Sequence, residues 1–480
     1  MADKTKRLEI PFTGPTYQNK SLFSAAQRCV NFFLRPYPDF NPANKGELKY
    51  MLVGTPGLVQ LADLGNDGPV RGSLAYNGFL YVVSGSTLFR VDQYWAVTTL
   101  GAVEGGTLPV GMATNGVDVV VVCSTKGYSY ILATGVFAQI TDADFPGGNS
   151  IAYIDGYYLV NEPESQRVWR SEFNDGTTWE SLQFSSAGAD PDLLVAVFAD
   201  HGDLWLFGEN TSEPWYNTGG SGFNFARISG AKVEMGTPSI FAHTAINNSI
   251  YLLGQDKNGH GQVLQILGRQ PTVVSTLPID YFINQEELGE ASMMAYQQEG
   301  HAFVVLHLPT RTLVFDSVVG QWHERSSRVG GVDGRWRANT HSFFNGVNVV
   351  GDLHDGIIYS LDPDVYTEGD EPIISYRISQ TLRYLQSRVT YWGIQILFQP
   401  AVGLVSGQGS DPVALLSWSD DGGATWSNEY DVSLGKIGET LNRACWTNLG
   451  QGINRVFKVQ VSDPVYRVIL GAMADVEVDK

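Results

Sequence analysis

The amino-acid sequence predicts an all-β chain: a β-propeller of six or seven blades, preceded by an extended N-terminal arm and followed by a C-terminal β-sandwich-like domain. Three observations carry this. A strand–turn–strand unit recurs through the middle of the chain at the spacing of propeller blades. Fifty-three glycines and 21 prolines are scattered through the 480 residues, as a fold of many short strands and tight turns requires. A polar, acidic stretch near residue 365 separates that middle from a tail whose strands alternate apolar and polar residues. Hydrophobic residues make up 43% of the chain and aromatics 12%, ample for a large core and too many for a disordered chain.

The unit is plainest in residues 184–219. A polar loop (185–192) leads to an apolar run (193–198), and the turn Asp200-His201-Gly202 follows. Leu204-Trp205-Leu206-Phe207 comes next, then a polar bend before Trp215-Tyr216. Runs that short, bounded by turn residues, suit strands buried on both faces. Units of the same layout start at Asn77, Asn115, Asp155, His201, Asn247, Glu299 and Asn345, at intervals of 38, 40, 46, 46, 52 and 46 residues. A blade of four short strands needs about 40–50 residues, and Asn-Gly or Asp-Gly turns favour type I′ hairpins.

Ahead of the repeats, residues 1–60 are broken by Pro11, Pro15, Pro36, Pro38 and Pro42, so they read as an extended arm ending at Gly54-Thr55-Pro56-Gly57. Residues 61–364 are assigned to the propeller. Within them, 280–298 is the most helix-like stretch, one or two turns between blades, with Met293 and Met294 as packing residues. Residues 365–480 form the sandwich-like domain. There Ile374, Tyr376 and Ile378 oppose Ser375, Arg377 and Ser379, and Phe457, Val459 and Val461 oppose Lys458, Gln460 and Ser462. Period two implies sheets with one buried face.

The formal charge of −19 repels nucleic-acid phosphates and anionic membranes, which argues against a DNA-binding module and suits solubility. Cys29, Cys123 and Cys445 are odd in number and far apart. They make neither a disulfide framework nor a metal pair, as expected of a chain assembled in a reducing compartment. The N-terminal MADKTKRLEIPF lacks an apolar core, so no secretory signal is expected. No apolar run reaches ~20 residues, so no membrane-spanning helix is expected.

One motif is well matched. Ser419, Asp421, Gly423, Thr425 and Trp426 fit Ser-x-Asp-x-Gly-x-Thr-Trp, the Asp-box hairpin familiar from sialidases. It reads as a structural turn: Asp421 accepts from turn amides, Gly423 takes positive φ, and Trp426 folds back over the hairpin. Residues 172–179 are a degenerate echo, with Asn174 in place of the Asp. In sialidases these boxes lie away from the active site. A sialidase also needs an Arg triad, a nucleophilic Tyr and an early Phe-Arg-Ile-Pro, which Phe225-Ala226-Arg227-Ile228-Ser229 does not match.

The eight histidines are dispersed. His301 and His307 stand six apart on one strand, too far to share an ion, and His201 and His354 occupy turn positions suited to surface hydrogen bonds. Neither a phosphate-binding loop nor a Gly-x-Ser-x-Gly elbow occurs. No residue is assigned a catalytic, cofactor-binding or metal-ligating role, and the chain is expected to be a non-enzyme without cofactor.

Three segments resemble a known family. They are 184–219, with Asp190-Pro191-Asp192 before its apolar strand and Pro214-Trp215-Tyr216 after Leu-Trp-Leu-Phe-Gly; 293–316, ending His-Leu-Pro-x-Arg-x-Leu-Val-Phe-Asp; and Cys29-Val30-Asn31 followed by Gly54-Thr55-Pro56-Gly57. In this order, over residues ~28–360, they resemble the tail-hub or packaged-DNA stabilisation proteins (tail accessory factors) of short-tailed bacteriophages of enteric and related bacteria.

The resemblance implies a virion tail component assembled in the host cytoplasm and added after DNA packaging. It implies a homo-oligomeric ring, a hexamer, below the portal and its adaptor ring protein. The tail needle or plug and the tailspikes or fibres attach to that ring, and packaged DNA passes through it without sequence-specific binding. No catalysis is implied. The alternative is a glycan-binding or glycan-cleaving, sialidase-like propeller of a phage tail, which would need acids and arginines converging in one pocket.

Overall fold

A short strand that is apolar on both faces must be covered on both, and a ring of face-to-face sheets does this for every member at once. The computed structural model of the chain, which describes residues 6–38, 48–188, 192–384 and 387–478, builds such a ring. Six blades, 70–102, 111–139, 151–186, 194–227, 243–273 and 292–329, each consist of four consecutive antiparallel strands. The first strand of each blade faces a common axis. The circle is closed by a composite sheet. Ala338–Phe344, Val347–Asp352 and Ile357–Asp362 take Gly57–Asp63, from far earlier in the chain, as their outer strand, with Ile357 opposite Asp63 and Asp362 opposite Gly57. The expectation of six or seven blades thus resolves into six continuous blades and one composite sheet.

The second strands are the most apolar: Asp118–Cys123 and His301–His307 are buried at every residue. The hairpins leading into them use the residues expected. Asn77, Asp155, His201, Asn247, Glu299 and Asn345 all lie at φ of 47–52°, where Asn and Asp are tolerated and a following Gly is at ease. Asn115 departs from this pattern. Its Oδ1 accepts from the N–H groups of Val117 and Asp118 at 2.7 and 2.8 Å, forming an Asx turn in a longer loop.

The helical expectation for 280–298 holds in part: the α-helix Leu277–Ile283, opened by Pro278, and a 3-10 turn at Leu288–Glu290 lie between the fifth and sixth blades, but Ser292–Gln298 is the first strand of the sixth blade. A strand buried on both faces has apolar residues at successive positions, which periodicity alone does not separate from a helix. Met293 and Met294 do pack, as neighbours on a strand must, into two different cores.

The N-terminal segment is extended in backbone but paired throughout its described strands. Lys6–Ile10 lies antiparallel to Val468–Val478, Phe32–Pro38 pairs with Leu48–Gly54, and Ala26–Val30 pairs with Ser375–Ile378. Val30 also meets Glu324 in a parallel bridge, so the sheet of the sixth blade runs on through Ala26–Val30 into the sandwich. Ile10, Phe12, Cys29, Phe32, Leu34 and Leu52 share one core with Val389, Trp446, Phe457 and Val476. Pro42 and Asp190-Pro191 lie outside the described residues.

In the sandwich, Phe457, Val459 and Val461 are buried and Lys458 and Gln460 half-buried, as alternation predicts. On Ser375–Ile378 the pattern is inverted: Ser375 and Arg377 are fully buried and Tyr376 is not. The reason is tertiary, because residues 12–16 cross that polar face and supply it with hydrogen-bond acceptors.

Candidate functional site

Two places in the fold concentrate buried polar groups: the seam joining the N-terminal segment, propeller and sandwich, and the cavity on the propeller axis.

The seam is organised by Asn31, 1% exposed and in the left-handed region at φ 54°. Its Nδ2 donates to the carbonyls of Ser326 and Ile374, both at 2.9 Å, and its Oδ1 accepts from the Ser326 N–H at 3.0 Å. Its carbonyl accepts from the Thr55 N–H at 3.1 Å. One side chain therefore ties the sixth blade to the segment leading into the sandwich, while its backbone ties both to the Gly-Thr-Pro-Gly turn. Gly57 in that turn has no room for a side chain, since a Cβ would sit 2.4 Å from the Thr367 carbonyl oxygen.

Around Asn31 the charges are paired or cradled. Arg28 forms a bidentate pair with Glu324 at 3.0 and 2.6 Å, and that carboxylate also accepts from the Thr16 hydroxyl. Arg325 lies 3.6 Å from the ring centre of Trp336 and donates to the Pro56 carbonyl at 2.9 Å. The Trp336 indole donates to Glu368 at 2.9 Å, whose carboxyl is pushed up by burial. Arg377 has carbonyl and amide oxygens as its partners. Its Nε and Nη1 donate to Phe12 and Pro15 at 2.8 Å, Nη1 also to Arg28 at 3.2 Å, and Nη2 to the Gln27 side chain at 3.1 Å. Burial brings its pKa down to about 10, so it stays cationic at neutral pH.

The axial cavity, about 330 Å³, is lined by the first strands of all six blades and of the composite sheet. Arg71, His243, Thr340 and His341 are among its lining residues, and none is acidic.

The Asp box is a tight turn in the sandwich. Ser419 Oγ donates to Asp421 at 2.6 Å and accepts from the Gly423 N–H at 2.8 Å, while Asp421 accepts from the Thr425 N–H at 2.9 Å. These bonds hold the Asp421 carboxyl well below the usual range. Gly423 has φ +102°, and the Trp426 ring lies against it. In the echo, Asp175 rather than Asn174 accepts from Thr177.

The histidines have separate partners: His301 pairs with Asp316 at 2.6 Å, His307 with Thr312 at 3.1 Å, and His201 with Asp200 and Asn248. Among the described residues no group of three His, Cys, Asp or Glu side chains could hold a metal, and no helix is long and apolar enough to cross a membrane. Asp192 closes the 208–211 turn, accepting from the N–H groups of Asn210 and Thr211 at 2.8 and 2.9 Å.

Sequence reasoning missed Arg28, Glu324, Arg325, Glu368 and Arg377. Local sequence offered little signal: Gln321–Val329 reads QWHERSSRV, mostly polar, and only its place between the sixth blade and Ala26–Val30 buries Glu324 and Arg325, which must then find partners.

Comparisons with known proteins agree on both halves of the chain. The family described as bacteriophage P22 Gp10, beta-propeller, matches residues 38–366, and that described as bacteriophage P22 Gp10, beta-sandwich, matches 385–477. No curated protein matches. Similar solved structures include the extracellular domain of the putative hybrid two component system BT4673 from B. thetaiotaomicron, at 9% identity and TM-score 0.44. That match covers 64% of this chain and 40% of the other, so the chain spans about two-fifths of that protein's length. The Neurospora crassa Pan2 WD40 domain matches at 10% identity and TM-score 0.43 over 64% and 96% of the two chains. The N-terminal domain of Nup159 does so at 10% and 0.41 over 69% and 98%. With a propeller and a sandwich each matched, and more than half the chain covered by the first, this chain belongs to the bacteriophage P22 Gp10 family and is a structural tail protein of a short-tailed phage virion.

Proposed function

We propose that the protein is the tail hub: a hexameric ring below the portal-adaptor that seals packaged DNA in the head and docks the tail needle and the tailspikes or fibres. Its units would be the arm 1–60, the propeller 61–364 and the sandwich 365–480, assembled into the virion in the host cytoplasm. The observation that carries this reading is the fusion of propeller and sandwich through Ala26–Val30. A seal under the pressure of packaged DNA must transmit load between its attachment surfaces, and a continuous sheet with buried charge pairs does so better than a flexible linker. The charge of −19 favours walls to which DNA adheres weakly.

The test is DNA retention in phage particles assembled without this protein. Heads that fill and then leak, lacking needle and spikes, are expected. Tight, DNA-filled heads with complete tails would remove the protein from the hub and favour glycan binding or cleavage instead.

The Asp box serves in this reading as a hairpin clasp. Asp421→Ala is expected to speed hydrogen exchange of the Thr425 amide, which donates to that carboxylate, while leaving particle assembly intact. Loss of a glycan-cleaving activity in that variant would contradict the assignment.

A further inference from the structure

Arg467 differs from the other buried arginines. It is 1% exposed and leads into Val468–Val478, where the sandwich and the hairpin of Phe32–Pro38 and Leu48–Gly54 meet the propeller. Arg337 and Arg455 each pair with a carboxylate, and Arg377 has all three guanidinium nitrogens bonded. Arg467 has no ion-pair partner among the described residues. Its Nε and Nη1 are buried without a hydrogen-bond acceptor and sealed from any water-sized space. Only Nη2 donates, to the Thr55 carbonyl at a long 3.4 Å. Thr55 Oγ1 and Arg325 Nε are unpartnered as well. Burial brings the Arg467 pKa down to about 10, with Arg325 adding repulsion, so the group stays cationic at neutral pH. A buried cation short of both acceptors and water opposes the packing that encloses it.

The force that keeps this part of the seam closed is apolar. Phe33, Val53 and Val468 share a core with Val305, Trp336 and Tyr359 of the propeller. A cleft of about 380 Å³ enters beside that contact, with Gly54, Asp364, Tyr366 and Tyr466 among its lining residues. Tyr366 borders both spaces. Its ring centre lies 6.1 Å from that of Tyr466 and 5.5 Å from the Arg467 guanidinium carbon. Asp364, two residues earlier on the cleft wall, is exposed.

We propose that this joint is a conformational latch. The closed form holds Arg467 in an unfavourable site, and widening of the cleft past Tyr366 gives its guanidinium water and the Asp364 carboxylate. Sandwich and propeller therefore part here first, while Asn31, Arg28 and Arg377 keep the other side of the seam joined. Opposed terms of this kind, apolar packing against an unsatisfied cation, bring two arrangements closer in free energy. The latch stands independently of the tail-hub reading.

Phenylglyoxal, which adds to guanidinium groups, tests this on the intact chain, with modified sites mapped by mass spectrometry. Arg377 is the internal control: it is as deeply buried as Arg467, and burial lowers both to about 10. Arg467 is expected to react roughly tenfold faster, as befits an opening that relieves an unsatisfied cation. Equal or slower reaction at Arg467 overturns the proposal. Arg467→Met should raise the urea midpoint, the opposite of what loss of a fully bonded arginine does. It should also slow exchange of the Gly54 amide, which donates to the Arg467 carbonyl at 2.8 Å, by roughly tenfold. A midpoint equal to or below wild type overturns the proposal too. If Arg467→Met does not fold, the phenylglyoxal ratio decides.

Discussion

Arg377→Met is expected to release the N-terminal segment from the sandwich and lower stability by about 4 kcal/mol. Methionine fills nearly the same volume, so the loss is of hydrogen bonding rather than of packing. The carbonyls of Phe12, Pro15 and Arg28, now facing a thioether, would be left without the donors that hold them, and each unsatisfied buried acceptor costs about 1–3 kcal/mol. Arg377→Lys is not expected to rescue it. One ammonium cannot span acceptors that the planar guanidinium reaches with all three nitrogens. Limited proteolysis gives the readout. Wild type should resist cleavage near Pro11–Pro15, and the variant should be clipped there and unfold at lower urea. A variant that matches wild type in both would mean that the sandwich core holds the segment unaided.

The second large effect is acid lability. Burial pushes the pKa of His323 down to about 3, with Arg325 and His301 adding repulsion and Asp316 opposing it. Burial alone brings His243 down to about 4. His307 and His341 are also lowered by burial. In each case the folded pKa lies below the unfolded value of 6.5. As pH falls through 6.5 the unfolded chain takes up protons that the folded chain refuses. Stability is therefore complete above that pH and is lost progressively down to about pH 3–4, by on the order of 3 kcal/mol for each strongly shifted ring. Asp118, Glu213, Asp355 and Glu368, shifted upward by burial, work in the opposite direction and offset part of this loss. His323→Phe should retain its neutral-pH stability, because the ring packs among Phe303 and Phe33, and should flatten the decline of Tm between pH 6.5 and 4. An equally steep decline in that variant would assign the acid response to carboxylates instead.

The hairpin turns were legible because their cause is local. A residue held at φ near 50° favours Asn, Asp or Gly whatever surrounds it, and six of the seven unit starts take that conformation. The Asp box was legible for the same reason, its bonds all spanning four residues or fewer. The resemblance motifs gained physical meaning from the structure. Asn31 bridges three segments of the chain, and Gly57 is pressed against a carbonyl. Neither role could be read from the neighbours in sequence.

Local chemistry thus determined the all-β class, the blade spacing, the turn types and the alternation of the Asn454–Val461 strand, because each depends on residues within a few positions of one another. The tertiary structure alone decided how the ring closes, where the N-terminal segment goes and which face of Ser375–Ile378 is buried. Gly57–Asp63 finds its partner about 300 residues on, Arg28 and Glu324 are 296 apart, and Arg377 reaches back 365 residues to Phe12. No periodicity records such pairings. They are selected by the free energy of covering a polar face and satisfying its charges, which exists only once the distant segments have met.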